Sequence, residues 1–152
     1  MTYIEMNDED ISKVTALYIR TFNREPWNDH WEAGSVQKRL LQMAKTPDFY
    51  GLMMYQEKEL IGFILGNQQQ YYDGVWFEIK EFCIDPDSQS GGYGTMLLAE
   101  FEKRLLSQGI DEIILLTLRD PRTKEFYQKK GYTVLEEMIL MNKTIKKKRH
   151  NG

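Results

Sequence analysis

Apolar residues along the chain recur at two different spacings, and the points where the spacing changes mark the elements. Tyr3 to Met6 reads as a short strand. Asn7 or Asp8 then opens a helix, since a short polar side chain can accept the first unpaired amides. Ile11, Val14, Leu17, Tyr18 and Phe22 follow at steps of three and four. The aromatic, turn-forming stretch Asn23–Trp31 leads through Ser35 to a second helix with Val36, Leu40, Leu41 and Met43 on one face, closed by Thr46-Pro47-Asp48. Tyr50–Gln56 and Leu60–Gly66 are apolar runs around the charged turn Glu57-Lys58-Glu59, a hairpin pattern with a three-residue loop. The polar stretch Asn67–Gly74 breaks the pattern. Val75–Ile84 is a long strand ended by Asp85-Pro86, because proline cannot continue a ladder.

A glycine-rich turn, Gln89–Thr95, opens a helix from Tyr93 or Gly94 that runs through Met96, Leu97, Phe101 and Leu105 to Gly109. Glu112–Leu118 is an almost continuous apolar strand of the kind buried on both faces. A short helix over Thr123–Lys130 stops at Gly131, and Tyr132–Val134 and Glu137–Thr144 complete the pattern as strands. This order predicts a mixed α/β layer whose Val75–Leu118 strand–helix–strand unit is parallel and right-handed.

Composition narrows the chemistry. The 152 residues, 41% hydrophobic and 28% charged, suit one globular domain. The expected boundaries are a single domain over residues 1–144 and a basic, disordered tail over 145–152. Five of the twenty bases lie in Lys143–Arg149, which leaves fifteen bases against twenty-three acids over residues 1–142. A body that acidic repels phosphate backbones, so nucleic acid is not an expected partner. The single cysteine, Cys83, excludes an internal disulfide and suits a reducing compartment. Two histidines, His30 and His150, leave almost no material for a metal site or a histidine-based triad, so no metal is expected. No segment approaches the about 20 apolar residues that cross a bilayer, and no export signal is evident; a cytoplasmic protein without membrane partners is expected.

The turn Gln89-Ser90-Gly91-Gly92-Tyr93-Gly94-Thr95 carries the most specific signal. Glycines there allow positive φ and close approach of bare amides, and the following helix start adds unpaired donors, so the turn suits a pyrophosphate. A Walker loop requires Lys-Ser/Thr after its last glycine, whereas Thr95-Met96 follows here. A dinucleotide fingerprint requires glycine where Leu97 stands.

The pattern that fits is Gln/Arg-x-x-Gly-x-Gly/Ala, met by Gln89, Gly92 and Gly94, and it resembles the pyrophosphate loop of the Gcn5-related N-acetyltransferases. Ile84-Asp85-Pro86 just upstream and Phe126-Tyr127-Gln128-Lys129-Lys130-Gly131-Tyr132 downstream resemble further segments of that family, as does the element order from Tyr3 to Thr144. The resemblance implies the acyl-CoA N-acyltransferase (GNAT) fold, an α/β (α+β) arrangement with helices on both faces. Its mixed central sheet is splayed between the fourth and fifth strands. It also implies direct transfer of an acetyl group from acetyl-CoA to a primary amine of a small molecule or peptide. The alternative of another class is a catalytically silent acetyl-CoA-binding sensor or regulatory domain on the same fold.

The resemblance also assigns residues. The pantetheine arm would lie in the gap against main-chain groups of Phe82, Cys83 and Ile84, with an amide near Cys83 or Ile84 facing the thioester oxygen. Gln89, Ser90, Gly91, Gly92, Tyr93, Gly94 and Thr95 would hold the diphosphate, and Phe126, Tyr127 and Lys130 would add further coenzyme contacts. The Cys83 side chain itself reads as small core filling. An alkyl amine is protonated at neutral pH and must lose a proton before it attacks. Glu78 and Glu81 are the candidate bases, and their odd spacing along a regular strand puts them on opposite faces, so only one faces the cleft. A solvent-facing or structural role for each stays open. Tyr127 stands where the family often places an acid for the leaving thiolate, with aromatic packing as the alternative. Trp27 and Trp31 are candidates for an acceptor wall, with a staple between the first two helices as the alternative. The strand near Met138–Met141 is a candidate dimer edge, so a monomer and a homodimer both fit.

Overall fold

The computed structural model describes residues 1–146, without the side chains of Gln89 and Ser90. The basic tail predicted from residue 145 therefore lies, from residue 147 onward, outside the described residues. The chain divides into two compact units, Met1–Leu118 and Arg119–Gly152.

The first unit is a five-stranded sheet in the order β1-β2-β3-β4-β5. Its strands are β1 (Thr2–Glu5), β2 (Phe49–Gln56), β3 (Glu59–Tyr71), β4 (Gly74–Ile84) and β5 (Glu112–Leu115). The first three pairings are antiparallel and β4–β5 is parallel, as the crossover from Val75 to Leu118 requires. Helices α1 (Ile11–Phe22) and α2 (Ala33–Ala44) pack on one face and α3 (Tyr93–Ser107) on the other. Asn7 opens the first helical segment as expected, its side chain accepting the Glu9 amide at 2.8 Å while Asp10 accepts the Asn7 amide.

Two cores result. Val14, Leu17, Tyr18, Val36 and Leu40 of α1 and α2 meet Met53, Phe63, Leu65 and Cys83 of the sheet, all buried. On the other face Leu97, Leu98, Phe101 and Leu105 of α3 are buried, with the rings of Phe77 and Phe101 edge to face at 5.4 Å.

Several strand limits differ from the sequence reading. The stretch Asn67–Gly74 does not break the sheet: β3 runs on to Tyr71, and Asn67 to Gln70 pair with Glu78 to Val75. Backbone pairing across a tight turn at Tyr72-Asp73 carries this arm, which is why no apolar pattern marks it. The β2–β3 hairpin turns on two residues, Glu57 and Lys58, not three, with Glu57 at φ 56°. The fifth strand ends at Leu115, and Leu116 and Leu118 are exposed rather than buried on both faces.

The register of β3 against β4 shifts at Gly66: Leu65 pairs with Glu81 and Gly66 with Ile79, which leaves Lys80 as an extra residue. This β-bulge reverses the pleat of β4. Phe77, on the α3 face, and Glu81, on the α1–α2 face, are both odd-numbered for that reason. Glu78 alternates with Phe77 and so shares the α1–α2 face with Glu81, contrary to the placement on opposite faces that a regular strand predicts.

In the second unit α4 covers Pro121–Gln128, two residues earlier than the predicted Thr123–Lys130. Asp120 caps it by accepting the Thr123 amide at 3.1 Å, and Pro121 sits at the first helical position. Gly131 at φ 90° ends the segment. The predicted strands Tyr132–Val134 and Glu137–Thr144 are not found among the described residues. That segment is turns and irregular chain, with Met138 to Met141 between 67% and 80% exposed. Among the described residues of this unit no strand is present for them to pair with.

Candidate active site

β4 determines the site. It pairs with β5 only over Trp76–Ile79 against Glu112–Leu115, then continues for Lys80–Ile84 beyond the end of β5. The Asp85 amide donates to the Ile61 carbonyl of β3 at 2.6 Å. Because successive amides of a strand point to opposite sides, the Ile84 amide points away from β3, toward the side where β5 has ended. Of the two amides expected near a thioester oxygen, Ile84 therefore has the suitable direction and Cys83 faces β3. The Cys83 side chain lies in the α1–α2 core at 3% exposure, and burial pushes its thiol pKa up, as core filling predicts.

Asp85 then caps a 3-10 turn, Pro86–Gly91, its Oδ1 accepting the Asp87 amide at 3.0 Å and its carbonyl accepting the Ser88 amide at 2.9 Å. Gly92 follows in the left-handed region at φ 73° and ψ 15°, and it is the N-cap of α3. A Cβ at Gly92 would meet nothing within 4 Å, so the turn presents open space on that side. The first amides of α3, from Tyr93 through Thr95, have no partner in the helix by geometry and share its positive dipole end. Tyr93 is held by its hydroxyl, which donates to Gln56 Oε1 at 3.2 Å. An αL glycine, unfilled space and a helix start at the tip of the parted strand together form a cradle that suits a diphosphate.

The acceptor side is occupied by a buried network. Glu81, 7% exposed, accepts at one oxygen both the Tyr18 hydroxyl at 3.1 Å and the Arg39 Nε at 2.6 Å. Burial raises the Glu81 pKa above the usual carboxylate range, and Arg39 pulls it back only in part. Burial, with Glu81 beside it, also raises the Tyr18 phenol. Glu78 accepts Gln69 Nε2 at 2.9 Å and pairs with Lys80 Nζ at 2.9 Å.

Trp31 packs edge-on to Tyr18 at 5.4 Å, its indole N–H donates to Asp29 at 2.9 Å, and the Arg39 guanidinium covers its ring at 5.5 Å. Trp27 packs against Phe22 at 4.9 Å. Trp31 thus touches both α1 and α2 and Trp27 touches α1, and one face of Trp31 lies beneath the Arg39 cation. In the sequence Tyr18 is part of an apolar stripe and nothing marks Arg39; a tyrosine in such a stripe still has to place its hydroxyl, and that is the available clue.

In the second unit Tyr127 stacks edge-on with Phe126 at 5.2 Å and with Tyr132 at 5.5 Å, and burial raises its phenol pKa. Lys130 Nζ lies over the Phe126 ring at 4.3 Å. Arg122, Glu125, Phe126, Lys129 and Lys130 line a cavity of about 230 Å³. Among the described residues no group of three or more metal-ligating side chains is present, and no helix is long and apolar enough to cross a membrane.

β4 thus outruns β5 beside a glycine turn and a helix start. The sequence matches the Acetyltransferase (GNAT) family over residues 13–132, and the chain belongs to that family. No curated protein matches the sequence. Among solved structures, an aminoglycoside acetyltransferase from an uncultured soil metagenomic sample, in complex with sisomicin, is 16% identical with a TM-score of 0.73, covering 95% of this chain and 96% of its own. A transcriptional regulator from Bacillus halodurans C-125 is 17% identical with a TM-score of 0.75, over 93% and 98%. A ribosomal-protein-alanine N-acetyltransferase from Brucella melitensis biovar Abortus 2308 is 10% identical with a TM-score of 0.72, over 93% and 98%. At these identities the likeness shows the fold.

Proposed function

We propose that the chain, over residues 1–144, moves the acetyl group of acetyl-CoA directly onto a primary amine of a small molecule or peptide. The observation that supports this reading best is the end of β4, which runs on over Lys80–Ile84 past its pairing with β5 and leads straight into the Gly92 turn. Acetyl-CoA supplies the activated acyl group as a thioester. The amides from Gly92 through Thr95 bind its diphosphate, main-chain groups of Phe82 to Ile84 hold the arm by strand addition, and the Ile84 amide donates to the carbonyl oxygen. Gln89, Ser90, Gly91, Phe126 and Lys130 complete the coenzyme contacts.

The incoming ammonium has to lose its proton close to the reacting carbon. Glu81 is three residues from Ile84, about 10 Å along the strand, and Glu78 is six. Glu81 is the nearer of the two, and burial raises its pKa toward a useful value, so Glu81 is assigned as the base. Tyr127, by its place in the Phe126–Tyr132 segment that resembles the family's, is assigned as the donor of a proton to the departing thiolate.

The test is a thermal shift with acetyl-CoA followed by thiol release across amine classes. Ligand at about 100 times its Kd adds about 2.7 kcal/mol of stability. Turnover that Tyr127→Phe slows supports the reading. Binding without turnover on any amine makes the chain a coenzyme sensor, and an unchanged Tm with saturating acetyl-CoA overturns both.

A further inference from the structure

The cradle is anchored at one residue, and that residue is tied to α1. Asp85 makes four connections: its amide to Ile61 of β3, its carbonyl to the Ser88 amide, its Oδ1 to the Asp87 amide, and its Oδ2 to Arg20 Nη2 at 2.9 Å. The first fixes where β4 ends and the next two fold the Pro86–Gly91 turn. The fourth is the only one that reaches a different layer of the unit. Asp85 is 19% exposed at its side chain and Arg20 44%, so the pair is shielded from water at its carboxylate end. Just past the end of α1, Arg24 Nη1 lies 3.9 Å from Asp87 in the same 3-10 turn, with both side chains more than half exposed. Tyr18, on the same helix, bonds Glu81 four residues before Asp85. Helix α1 thus holds β4 at Glu81 and at the start of the glycine turn.

We propose that Arg20 is a positioning residue for coenzyme binding, which acts through Asp85 by holding the Pro86–Gly92 turn in its binding geometry before the ligand arrives. The proposal rests on the acetyl-CoA reading above. A turn whose amides are already aimed loses no ordering entropy on binding, whereas a released turn binds in proportion to the fraction of time it is correctly formed. Arg20 itself contacts no ligand in this scheme, so its removal lowers affinity and leaves the chemical step alone.

The experiment measures the acetyl-CoA Kd of the full chain, with kcat at saturating coenzyme, for wild type, Arg20→Met, Arg20→Lys, Asp85→Asn and the Arg20→Met/Asp85→Asn double variant. Asparagine keeps an oxygen for the Asp87 amide while removing the charge that pairs with Arg20. Arg20→Met is expected to raise Kd about fivefold, the scale of one partly shielded ion pair, with kcat unchanged. Arg20→Lys recovers most of the loss, and Arg20→Met adds little in the Asp85→Asn background. An unchanged Kd for Arg20→Met overturns the inference. A loss that persists in full in the Asp85→Asn background also overturns it, because Arg20 would then touch the coenzyme directly. Wild-type protein that binds no acetyl-CoA overturns the underlying reading and this inference with it.

Discussion

Arg39 and Glu81 form an ion pair at 2.6 Å in which the carboxylate is 6% exposed at its side chain and the guanidinium 41%. The two halves of the pair therefore sit in different media. Removing the partner of a fully buried charge costs about 3–5 kcal/mol, and water around the exposed guanidinium reduces that, so Arg39→Met is expected to cost about 2 kcal/mol near neutral pH. Burial already raises the Glu81 pKa, and loss of Arg39 raises it further. With the folded pKa above the unfolded one, the folded state binds the proton more tightly, so stability is greatest in acid and falls as pH rises through the folded pKa. The Tm deficit of Arg39→Met is thus expected to be largest near neutral pH and to shrink in mild acid, where Glu81 is neutral and needs no counter-ion. Melting curves of both proteins across that range check this, and a deficit that does not vary with pH contradicts it.

The assignment of Glu81 over Glu78 has its own test. Glu81→Gln keeps an oxygen for Tyr18 and Arg39 but cannot take a proton, and loss of a general base lowers kcat/KM about a hundredfold or more. Glu78→Gln keeps the Gln69 contact and loses only a partly shielded ion pair with Lys80, so its rate should stay within about threefold of wild type. The acid limb of the pH profile should flatten in the Glu81 variant alone. The reverse pattern would make Glu78 the base.

The glycine turn was legible because its chemistry is local: Gly92 needs positive φ, Asp85-Pro86 ends a strand, and both follow from residue type. The apolar periods of Ile11–Phe22 and Val36–Leu40 likewise located two helices, although Leu41, read on the apolar face of the second, is exposed. What failed depends on partners distant in sequence. Asn67–Tyr71 lacks any alternation of polarity, yet it is strand because Gly74–Glu78 pairs with it. Met138–Met141 has the composition of a strand, and no strand is found for it to pair with among the described residues of its unit. The shared face of Glu78 and Glu81 depends on one extra residue at Lys80, and lysine has no special preference for a bulge. Arg39 and Arg20 look like ordinary surface arginines until α1 and α2 are folded against β4.

The thiol of Cys83 should be inert while the protein is folded. Only the thiolate reacts quickly with alkylating agents, and burial raises the thiol pKa and also excludes the reagent. At about pH 8 a free thiol is substantially ionised, so labelling should be rapid in denaturant and in native protein should proceed no faster than the chain opens. Cys83→Ala should keep acetyl transfer within about threefold, since only its backbone borders the proposed arm. Mass spectrometry of native and denatured samples after timed alkylation checks the first expectation. Fast native labelling would place Cys83 outside the core.

Gly66 is where the bulge and the packing coincide. A Cβ there would overlap the Glu78 carbonyl oxygen and press the Phe77 ring at 2.8 Å, and both belong to the strand that has to shift at this point. Relief requires β4 to move away from β3 or the bulge to migrate, and either change rotates Glu81 off the face it shares with Tyr18 and Arg39. Gly66→Ala is therefore expected to cost about 3 kcal/mol, the range of a severe overpacking in a closed site, which is on the order of 10 °C in Tm at this chain length. By comparison Gly34→Ala, in α2 with nothing within 4 Å of the new methyl, should be neutral or stabilising by about 0.5 kcal/mol through its helix preference. Parallel thermal melts of the two variants separate the explanations. If Gly66→Ala melts like wild type, β3 and β4 are not locked at this register, and the common face of the two carboxylates is lost with it.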